Sequence, residues 1–267
     1  MAVSNFDFHN PVQIFFGKGE ISKLNELIPQ GTKIMLTYGG GSIKKNGVYD
    51  QVKNALKGYQ IVEFGGIEPN PKVETLRKAV ELGKKEKVQF LLPVGGGSVI
   101  DGTKLIAVAL LIDNDPWDVC IGKVPIEKAL PIGTVLTLPA TGTEMNGNSV
   151  VSNEATKEKY GFGSRLVMPK FSILDPETCF SLPQIQVANG VVDAFIHVME
   201  QYLAYPVNAM IHDRFAESIL QTLVEVGPKV VADKANYEHM SNFMWAATVA
   251  LNGLIGCGVP NDWATHQ

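Results

Sequence analysis

The chain has 267 residues, 45% hydrophobic and 19% charged, which is enough to bury the core of one large domain or two ordinary ones. A net charge of −4 argues against a surface that binds nucleic acid, and no apolar stretch is long enough for a membrane span. The first residues lack the basic and apolar regions of a signal peptide. The cysteines, Cys120, Cys179 and Cys257, show neither metal nor disulfide spacing, so we expect a reducing cytoplasm.

Strand and helix signals alternate through the first two thirds of the chain. Strands are predicted over residues 12–16, 33–38, 60–64, 88–94 and 131–138, with shorter ones at 150–152 and 171–174. Helices are predicted over residues 21–27, 51–56, 73–85 and 99–111. Such alternation implies an α/β domain with a parallel sheet and right-handed crossovers, in which ligands bind beyond the carboxyl ends of the strands.

Two of these strands end in the same motif, three glycines and a serine that lead into a helix. The two copies are Gly39, Gly40, Gly41 and Ser42, and Gly95, Gly96, Gly97 and Ser98. Glycines let the backbone approach a ligand, and the helix that follows points free N–H groups and a partial positive charge at it, so a phosphate would fit. A tight turn without a ligand is the alternative for either copy, but the repetition favours nucleotide binding. Neither copy obeys G-x-G-x-x-G, because Lys44 and Ile100 stand at the last position.

The start of the helix after the second turn carries a further signal. Ser98 followed by Asp101 three residues later predicts a capping box. Downstream, residues 139–149 form a loop rich in hydroxyls and small side chains, which could bind a ribose or a carboxamide or be an ordinary polar surface loop.

The character of the chain changes after Pro183. Strand signals vanish, and helical periodicity extends over residues 187–202, 209–226 and 237–254. We therefore predict an α/β domain over residues 1–182 and an all-helical domain over residues 183–267.

The first of these helices contains a candidate metal site. Asp193 and His197 are four residues apart, so they share one helix face among apolar neighbours. A divalent cation such as Fe(II), Zn(II), Mn(II) or Co(II) would suit this pair, and an exposed hydrogen bond between them is the alternative. His266 is a candidate third ligand if the later helices fold back. Glu200 lies on the same face and could support the ligands, although a solvated acid is the plainer expectation.

Taken together, these segments resemble the iron-containing (group III, metal-dependent) alcohol dehydrogenase family, in its bacterial NADPH-dependent aldehyde reductase and butanol dehydrogenase branch. The matching motifs cover nearly the whole chain: FGKG (16–19), TYGGGSIKKNG (37–47), GGIEPNP (65–71), GGGSVIDGTK (95–104), LTLPATGTEMN (136–146), QVANGVVDAFIHVMEQY (186–202) and WAATVALNGLIGCGVPNDWATH (245–266).

The resemblance implies a Rossmann-like dinucleotide domain followed by a helical metal-binding domain. Asp193, His197 and His266 match three of the four metal ligands, for Fe or Zn, and the fourth is expected beyond the end of this chain, which would make the helical domain incomplete. The expected cofactor contacts are Gly39, Gly40, Gly41, Ser42, Asn70, Gly95, Gly96, Gly97, Ser98, Asp101, Thr137, Thr141 and Lys159.

The cofactor preference follows from the first glycine turn. Many NAD-using members of the family carry an aspartate near the position of Gly39, where its carboxylate would repel a 2′-phosphate. Here that carboxylate is missing and Lys44 and Lys45 are close in sequence, so we expect NADP(H).

The expected activity is reduction of aldehydes to primary alcohols, and the reverse oxidation, with the metal as a Lewis acid on the substrate oxygen. Two alternatives stay open: an inactive NADP(H)-binding fragment of such an enzyme, and a polyol dehydrogenase on the same scaffold. The resemblance also suggests a homodimer.

Overall fold

A computed structural model describes residues 2–266 of the chain and contains a parallel sheet of six strands. The strands in chain order are β1 (Gln13–Phe16), β2 (Lys33–Thr37), β3 (Gln60–Phe64), β4 (Phe90–Gly96), β5 (Gly133–Leu138), β6 (Asn148–Asn153), β7 (Glu158–Gly163) and β8 (Phe171–Leu174). The sheet order is β1-β8-β5-β4-β2-β3, and β6 and β7 form a separate antiparallel hairpin.

The helices in chain order are α1 (Leu24–Leu27), α2 (Ser42–Lys45), α3 (Val48–Ala55), α4 (Val73–Glu86), α5 (Gly97–Ala109), α6 (Pro116–Cys120), α7 (Gln184–Tyr202), α8 (Met210–Ala232) and α9 (Tyr237–Ala250). Short 3-10 turns lie at Glu20–Lys23, Thr143–Met145, Arg165–Val167 and Pro176–Cys179. The predicted order, an α/β region with a parallel sheet followed by a helical region, is confirmed. Within residues 2–266, no helix is long and apolar enough to cross a bilayer.

The chain forms two compact units. One consists of Pro11–Thr137 and Gly147–Thr178, and contains the sheet and the hairpin. The other consists of Met1–Asn10, Leu138–Asn146 and Cys179–Gln267, and contains α7, α8 and α9. The second unit thus includes three segments that the sequence analysis assigned to the α/β domain, namely residues 1–10, 138–146 and 179–182. The division into domains at residues 182 and 183 stays a prediction.

The sheet of the first unit separates two apolar clusters because side chains alternate along its strands. In β2, Ile34 and Leu36 face one cluster while Met35 faces the other. In β4, Leu92 and Leu91 divide in the same way. Strands buried on both faces are typical of doubly wound parallel sheets and explain the nearly continuous apolar runs in the sequence.

In the second unit, three helices pack pairwise around a buried apolar interior. Val187, Ala194 and Val198 supply the buried face of α7, and Phe243 and Ala247 supply that of α9. These positions recur at the three-to-four-residue spacing of an amphipathic helix. The face of α7 that carries Asp193 and His197 is thereby fixed by the packing of its apolar neighbours.

Some predicted boundaries differ from the structure. The strand β7 was not predicted, because its sequence EKYGFG is charged and glycine-rich and most of it is exposed. Helix α8 continues through Pro228 to Ala232, since the fully buried Val230 anchors its last turn. Helix α9 ends at Ala250, four residues early, where the chain turns at Leu251 and reaches a positive φ at Gly253.

Candidate functional site

The two glycine turns lie at the same edge of the sheet. Strands β2 and β4 are parallel neighbours, with Thr37 opposite Pro93, so the turns that follow them start side by side. Gly41 is the N-cap of α2 and has a φ of +90°, a conformation that favours glycine. In the second turn β4 continues directly into α5, with Gly96 extended. Both helix N-termini therefore begin at the edge where a nucleotide was expected.

The atoms around Gly39 leave little room for a side chain. A Cβ atom added there would lie 3.3 Å from the carbonyl oxygen of Ile67 and 3.6 Å from a methyl group of Val99. A side chain at this position would need the Ile67 carbonyl to give by a few tenths of an ångström. The packing around Gly39 is therefore close, but it is the missing carboxylate charge that bears on the choice of cofactor.

The predicted capping box at the start of α5 is wrong. The helix begins at Gly97, two residues earlier than the prediction requires, and its N-cap Gly96 provides no side-chain hydrogen bond. Ser98 therefore lies inside the first turn, where its Oγ accepts a hydrogen bond from Asn70 N at 3.2 Å. The Asp101 carboxylate accepts instead from Val150 N at 3.0 Å, which attaches β6 to the helix.

Three of the expected cofactor residues are in direct contact. Asn70 adopts a left-handed φ of 54°, which lets its backbone N–H reach Ser98 while its Oδ1 accepts a hydrogen bond from Lys159 Nζ at 3.3 Å. Asparagine adopts this conformation more readily than other non-glycine residues. Asn70 therefore connects the second glycine turn to a cation on the hairpin.

The other expected contacts are distributed over both units. Thr137 is buried in β5 of the sheet unit. Thr141 belongs to the helical unit, where its Oγ1 accepts a hydrogen bond from Thr143 N at 3.4 Å.

Beside the first glycine turn lies a charged and aromatic cluster that the sequence analysis did not identify. The Nζ of Lys44 lies 3.4 Å from Glu63 Oε2 and 4.8 Å from the ring centroids of both Tyr38 and Tyr49. The other oxygen of Glu63 accepts from Tyr49 Oη at 2.5 Å and from Lys53 Nζ at 3.4 Å. Burial alone would raise the pKa of Glu63, but the hydrogen bonds from Tyr49 and Lys53 outweigh it and lower the pKa. Glu63 is consequently ionised and holds Lys44 at the edge of the turn.

In the helical unit, the structure brings together the three residues expected to bind a metal. Ligand atoms of Asp193, His197 and His266 all lie within 4.8 Å of one another. The Oδ1 of Asp193 is 3.4 Å from His266 Nε2, and its Oδ2 is 3.9 Å from His197 Nδ1. The two imidazoles are stacked, with centroids 4.4 Å apart and planes inclined by 9°. These residues come from α7 and from the segment after α9, which returns to the helix.

The chemistry of these donors fits a divalent cation. His197 is buried, and among the described residues its Nδ1 has no hydrogen-bond partner. Burial lowers the pKa of His197 more than the nearby Asp193 carboxylate raises it, which favours the neutral imidazole that a metal needs. One carboxylate and two imidazoles suit Fe(II) or Zn(II). A cation would satisfy the buried nitrogen and compensate the carboxylate charge.

Glu200 is not the solvated acid that was the plainer expectation. Its side chain is only 7% exposed and contacts His266 Nδ1, while the backbone N–H of Thr265 donates to its other oxygen. Burial by itself raises the pKa of Glu200, but the contacts with His266 and Thr265 lower it overall. Trp263 packs edge-on against both imidazole rings, at 6.3 Å from His197 and 6.0 Å from His266.

A parallel sheet with paired glycine turns, combined with an acid and two imidazoles on a helical unit, has the features of a metal-dependent oxidoreductase. Residues 11–176 match the family described as iron-containing alcohol dehydrogenase, and residues 187–267 match the C-terminal part of the Fe-containing alcohol dehydrogenase family. The chain belongs to the iron-containing alcohol dehydrogenase family.

Individual relatives agree with this assignment. The chain is 56% identical to the NADPH-dependent aldehyde reductase YqhD of Escherichia coli, over 99% of this chain and 69% of that protein. It is 49% identical to the probable NADH-dependent butanol dehydrogenase 1 of Bacillus subtilis, with the same coverage. The crystal structure of NADH-dependent butanol dehydrogenase A from Thermotoga maritima superimposes with a TM-score of 0.96 at 47% identity, covering 99% of this chain and 68% of that one.

Proposed function

We propose that this chain catalyses metal-dependent, NADPH-linked reduction of aldehydes to primary alcohols, and the reverse oxidation. The observation that carries the proposal is the cluster of Asp193, His197 and His266, in a chain 56% identical to an NADPH-dependent aldehyde reductase. The relatives named as butanol dehydrogenases support a short, uncharged substrate of the same class.

NADP(H) is proposed as the cofactor on the basis of the first glycine turn. The relatives include enzymes named for NADPH and enzymes named for NADH, so similarity alone favours neither. Gly39 supplies no carboxylate to repel a 2′-phosphate, and Lys44 offers a cation next to the turn. The ion pair between Lys44 and Glu63 makes the preference for NADP(H) smaller, because Glu63 already compensates part of the positive charge of Lys44.

Asp193, His197 and His266 would hold the metal, while the glycine turns with Asn70, Ser98 and Lys159 would hold the dinucleotide. When bound, the cation supplies Lewis-acid polarisation of the substrate oxygen and the reduced nicotinamide supplies the hydride. The buried, neutral His197 can bind a cation without first losing a proton. The Asp193 carboxylate would compensate part of the positive charge of the bound cation.

The decisive experiment measures NADPH oxidation in the presence of butanal, with protein loaded anaerobically with Fe(II) or loaded with Zn(II). We expect turnover that a chelator abolishes and that His197→Ala loses. The substitution His9→Ala, at an exposed histidine, is the matched control and should leave turnover unchanged. NADPH binding without turnover at any added metal would refute the proposal and leave a dinucleotide-binding protein.

We further propose a cytoplasmic homodimer. The described cysteines are all free thiols, as expected in a reducing compartment. On the surface of the helical unit, Val192, Ile211 and Val224 are each about 60% exposed, which supports burial against a partner copy. Light scattering should give twice the mass of the chain, and a monomeric mass would refute the dimer.

A further inference from the structure

The carboxylate of Glu63, near the end of β3, faces two different sets of donors with its two oxygens. Its Oε2 lies 3.4 Å from Lys44 Nζ and 3.4 Å from Tyr38 Oη. Its Oε1 accepts from Tyr49 Oη at 2.5 Å and from Lys53 Nζ at 3.4 Å. Lys44 belongs to α2, directly after the first glycine turn, whereas Tyr49 and Lys53 belong to α3. Glu63 therefore connects the cation beside the turn to a second cation on the next helix.

This cluster has more positive than negative charge, because the two ammonium groups of Lys44 and Lys53 share the one carboxylate of Glu63. Both lysines are partly exposed, so each ion pair is weak and a stronger anion can compete for either cation. A phosphate monoester carries more negative charge than a carboxylate. A 2′-phosphate at the first glycine turn could therefore draw Lys44 away from Glu63.

Glu63 keeps its other partners when Lys44 turns to an anion. Burial alone would raise the pKa of Glu63, and the hydrogen bonds from Tyr49 and Lys53, both to Oε1, lower it. The carboxylate thus stays paired without Lys44, and the free-energy cost of a partly buried, unpaired charge is avoided. The Lys44 ammonium meanwhile stays beside the turn, because it lies 4.8 Å from the ring centroids of both Tyr38 and Tyr49.

We infer that Lys53 is a positioning residue that sets cofactor specificity: it holds Oε1 of Glu63 and so leaves Lys44 available to a nucleotide that carries a 2′-phosphate. Lys53 acts through Glu63 and makes no contact with the cofactor. The inference rests on the proposed use of NADP(H), and it is testable without any metal.

The substitution Lys53→Met removes the ammonium group and keeps an unbranched side chain on α3. Glu63 should then attract Lys44 more strongly, so we expect the affinity for NADPH to fall about two- to fivefold while the affinity for NADH stays unchanged. Lys53→Arg keeps the cation and should retain the wild-type ratio of the two affinities. Lys57→Met is the matched control, because the exposed Lys57 follows the same helix and its replacement changes the net charge equally.

The variant Glu63→Gln shows whether Lys53 acts through the carboxylate. Without that carboxylate Lys44 has no competing partner, so adding Lys53→Met to Glu63→Gln should leave the ratio of NADPH to NADH affinity unchanged. Both affinities are measured on metal-free protein by the fluorescence of the reduced nicotinamide, at low and at high salt. Added salt should diminish the effect of Lys53→Met, since the pairs are partly exposed.

Several results would overturn the inference. These are an unchanged ratio in Lys53→Met, an equal fall in Lys57→Met, and a fall in the affinities for NADPH and NADH alike, which a general loss of structure would produce. An equal effect of Lys53→Met with and without the Glu63 carboxylate would mean that Lys53 acts on the cofactor directly, which also contradicts it. A wild type that binds neither dinucleotide refutes the proposed cofactor together with this inference, whereas an unchanged ratio in a protein that binds NADPH refutes the inference alone.

Discussion

Gly190 provides a sharp test of how closely α7 is packed beneath the candidate metal site. A Cβ atom added at Gly190 would lie 2.4 Å from the carbonyl oxygen of Pro139 and 3.1 Å from Cζ of Phe243. Real Cβ contacts below 3.0 Å essentially do not occur, so Gly190→Ala must separate the helix and this backbone oxygen by at least 0.6 Å. Asp193 is three residues further along the same helix and would move with it.

The expected loss of stability follows from two opposing terms. Overpacking a buried position typically costs about 1–3 kcal/mol. Replacing a glycine inside a helix by alanine returns up to about 1 kcal/mol. Because the obstructing atom belongs to the backbone and cannot rotate away, we expect a net loss of about 1–2 kcal/mol in the free energy of unfolding.

Gly102→Ala is the matched control. Gly102 is also a buried helical glycine, in α5, but its added Cβ would first meet Cδ2 of Leu76 at 2.9 Å, followed by side-chain atoms of Pro71 and Ile67 at 3.2 and 3.4 Å. The helix-propensity gain is the same, while the end of the Leu76 side chain can rotate away. We expect no net loss beyond about 0.5 kcal/mol for this variant.

Urea unfolding of both variants, followed by far-ultraviolet circular dichroism, measures the difference, and Zn(II) titration measures its effect on the metal site. Gly190→Ala should unfold at lower urea and bind Zn(II) more weakly, whereas Gly102→Ala should match the wild type in both. Equal stability of the two variants would refute the reasoning, since the contact with the Pro139 carbonyl would then impose no cost.

Three further outcomes are expected. Replacing His197 by alanine should abolish metal-dependent turnover but leave the affinity for NADPH, measured by fluorescence titration, unchanged. Turnover that survives both the substitution and a chelator would show that the reaction does not need the metal. Asp115→Asn should cost less than about 1 kcal/mol at neutral pH, because the Asp115–Arg77 pair is partly exposed. The hydrogen bonds from Arg77 lower the pKa of Asp115, so this stability is fully present above the ordinary carboxyl pKa of about 4 and is lost only as pH falls through the lowered pKa, below which the two proteins should unfold alike. Glu63→Gln should release Lys44 from its ion pair and raise the ratio of NADPH to NADH affinity by a few-fold. Added salt should weaken this effect. An unchanged or lower ratio would contradict the proposal that Lys44 binds the 2′-phosphate.

The parts of the fold that local sequence determines were predicted closely. Strand β3 has the predicted bounds, because it is followed by two glycines, of which Gly66 has a φ of 92° that ends the extended backbone. The two glycine turns were expected at one sheet edge, and the parallel pairing of β2 and β4 places them there. The shared face of Asp193 and His197 follows from helical periodicity alone.

The remaining features depend on contacts between residues far apart in the chain. His266 lies 73 positions after Asp193, so its approach to α7 was expected from family resemblance and not from spacing. Glu200 was misjudged for the same reason, since its burial is created by the returning segment. The capping box was wrong because Ser98 has a tertiary partner in Asn70 that competes with the local hydrogen bond. Local signals cannot reveal such partners.

The two halves of the proposed chemistry depend on different parts of the chain and can fail independently. We propose that dinucleotide binding depends on the glycine turns and on Lys44, all within the sheet unit, so it should survive any substitution in the Asp193, His197 and His266 cluster. The affinity for Zn(II) should in turn be unchanged in Glu63→Gln. Hydride transfer needs both the metal and NADPH. An inactive variant that binds NADPH but not Zn(II) has a defect in the Asp193, His197 and His266 cluster or at Glu200. An inactive variant that binds Zn(II) but not NADPH has a defect in the glycine turns. Measured together, the two affinities assign any loss of activity to one set of residues.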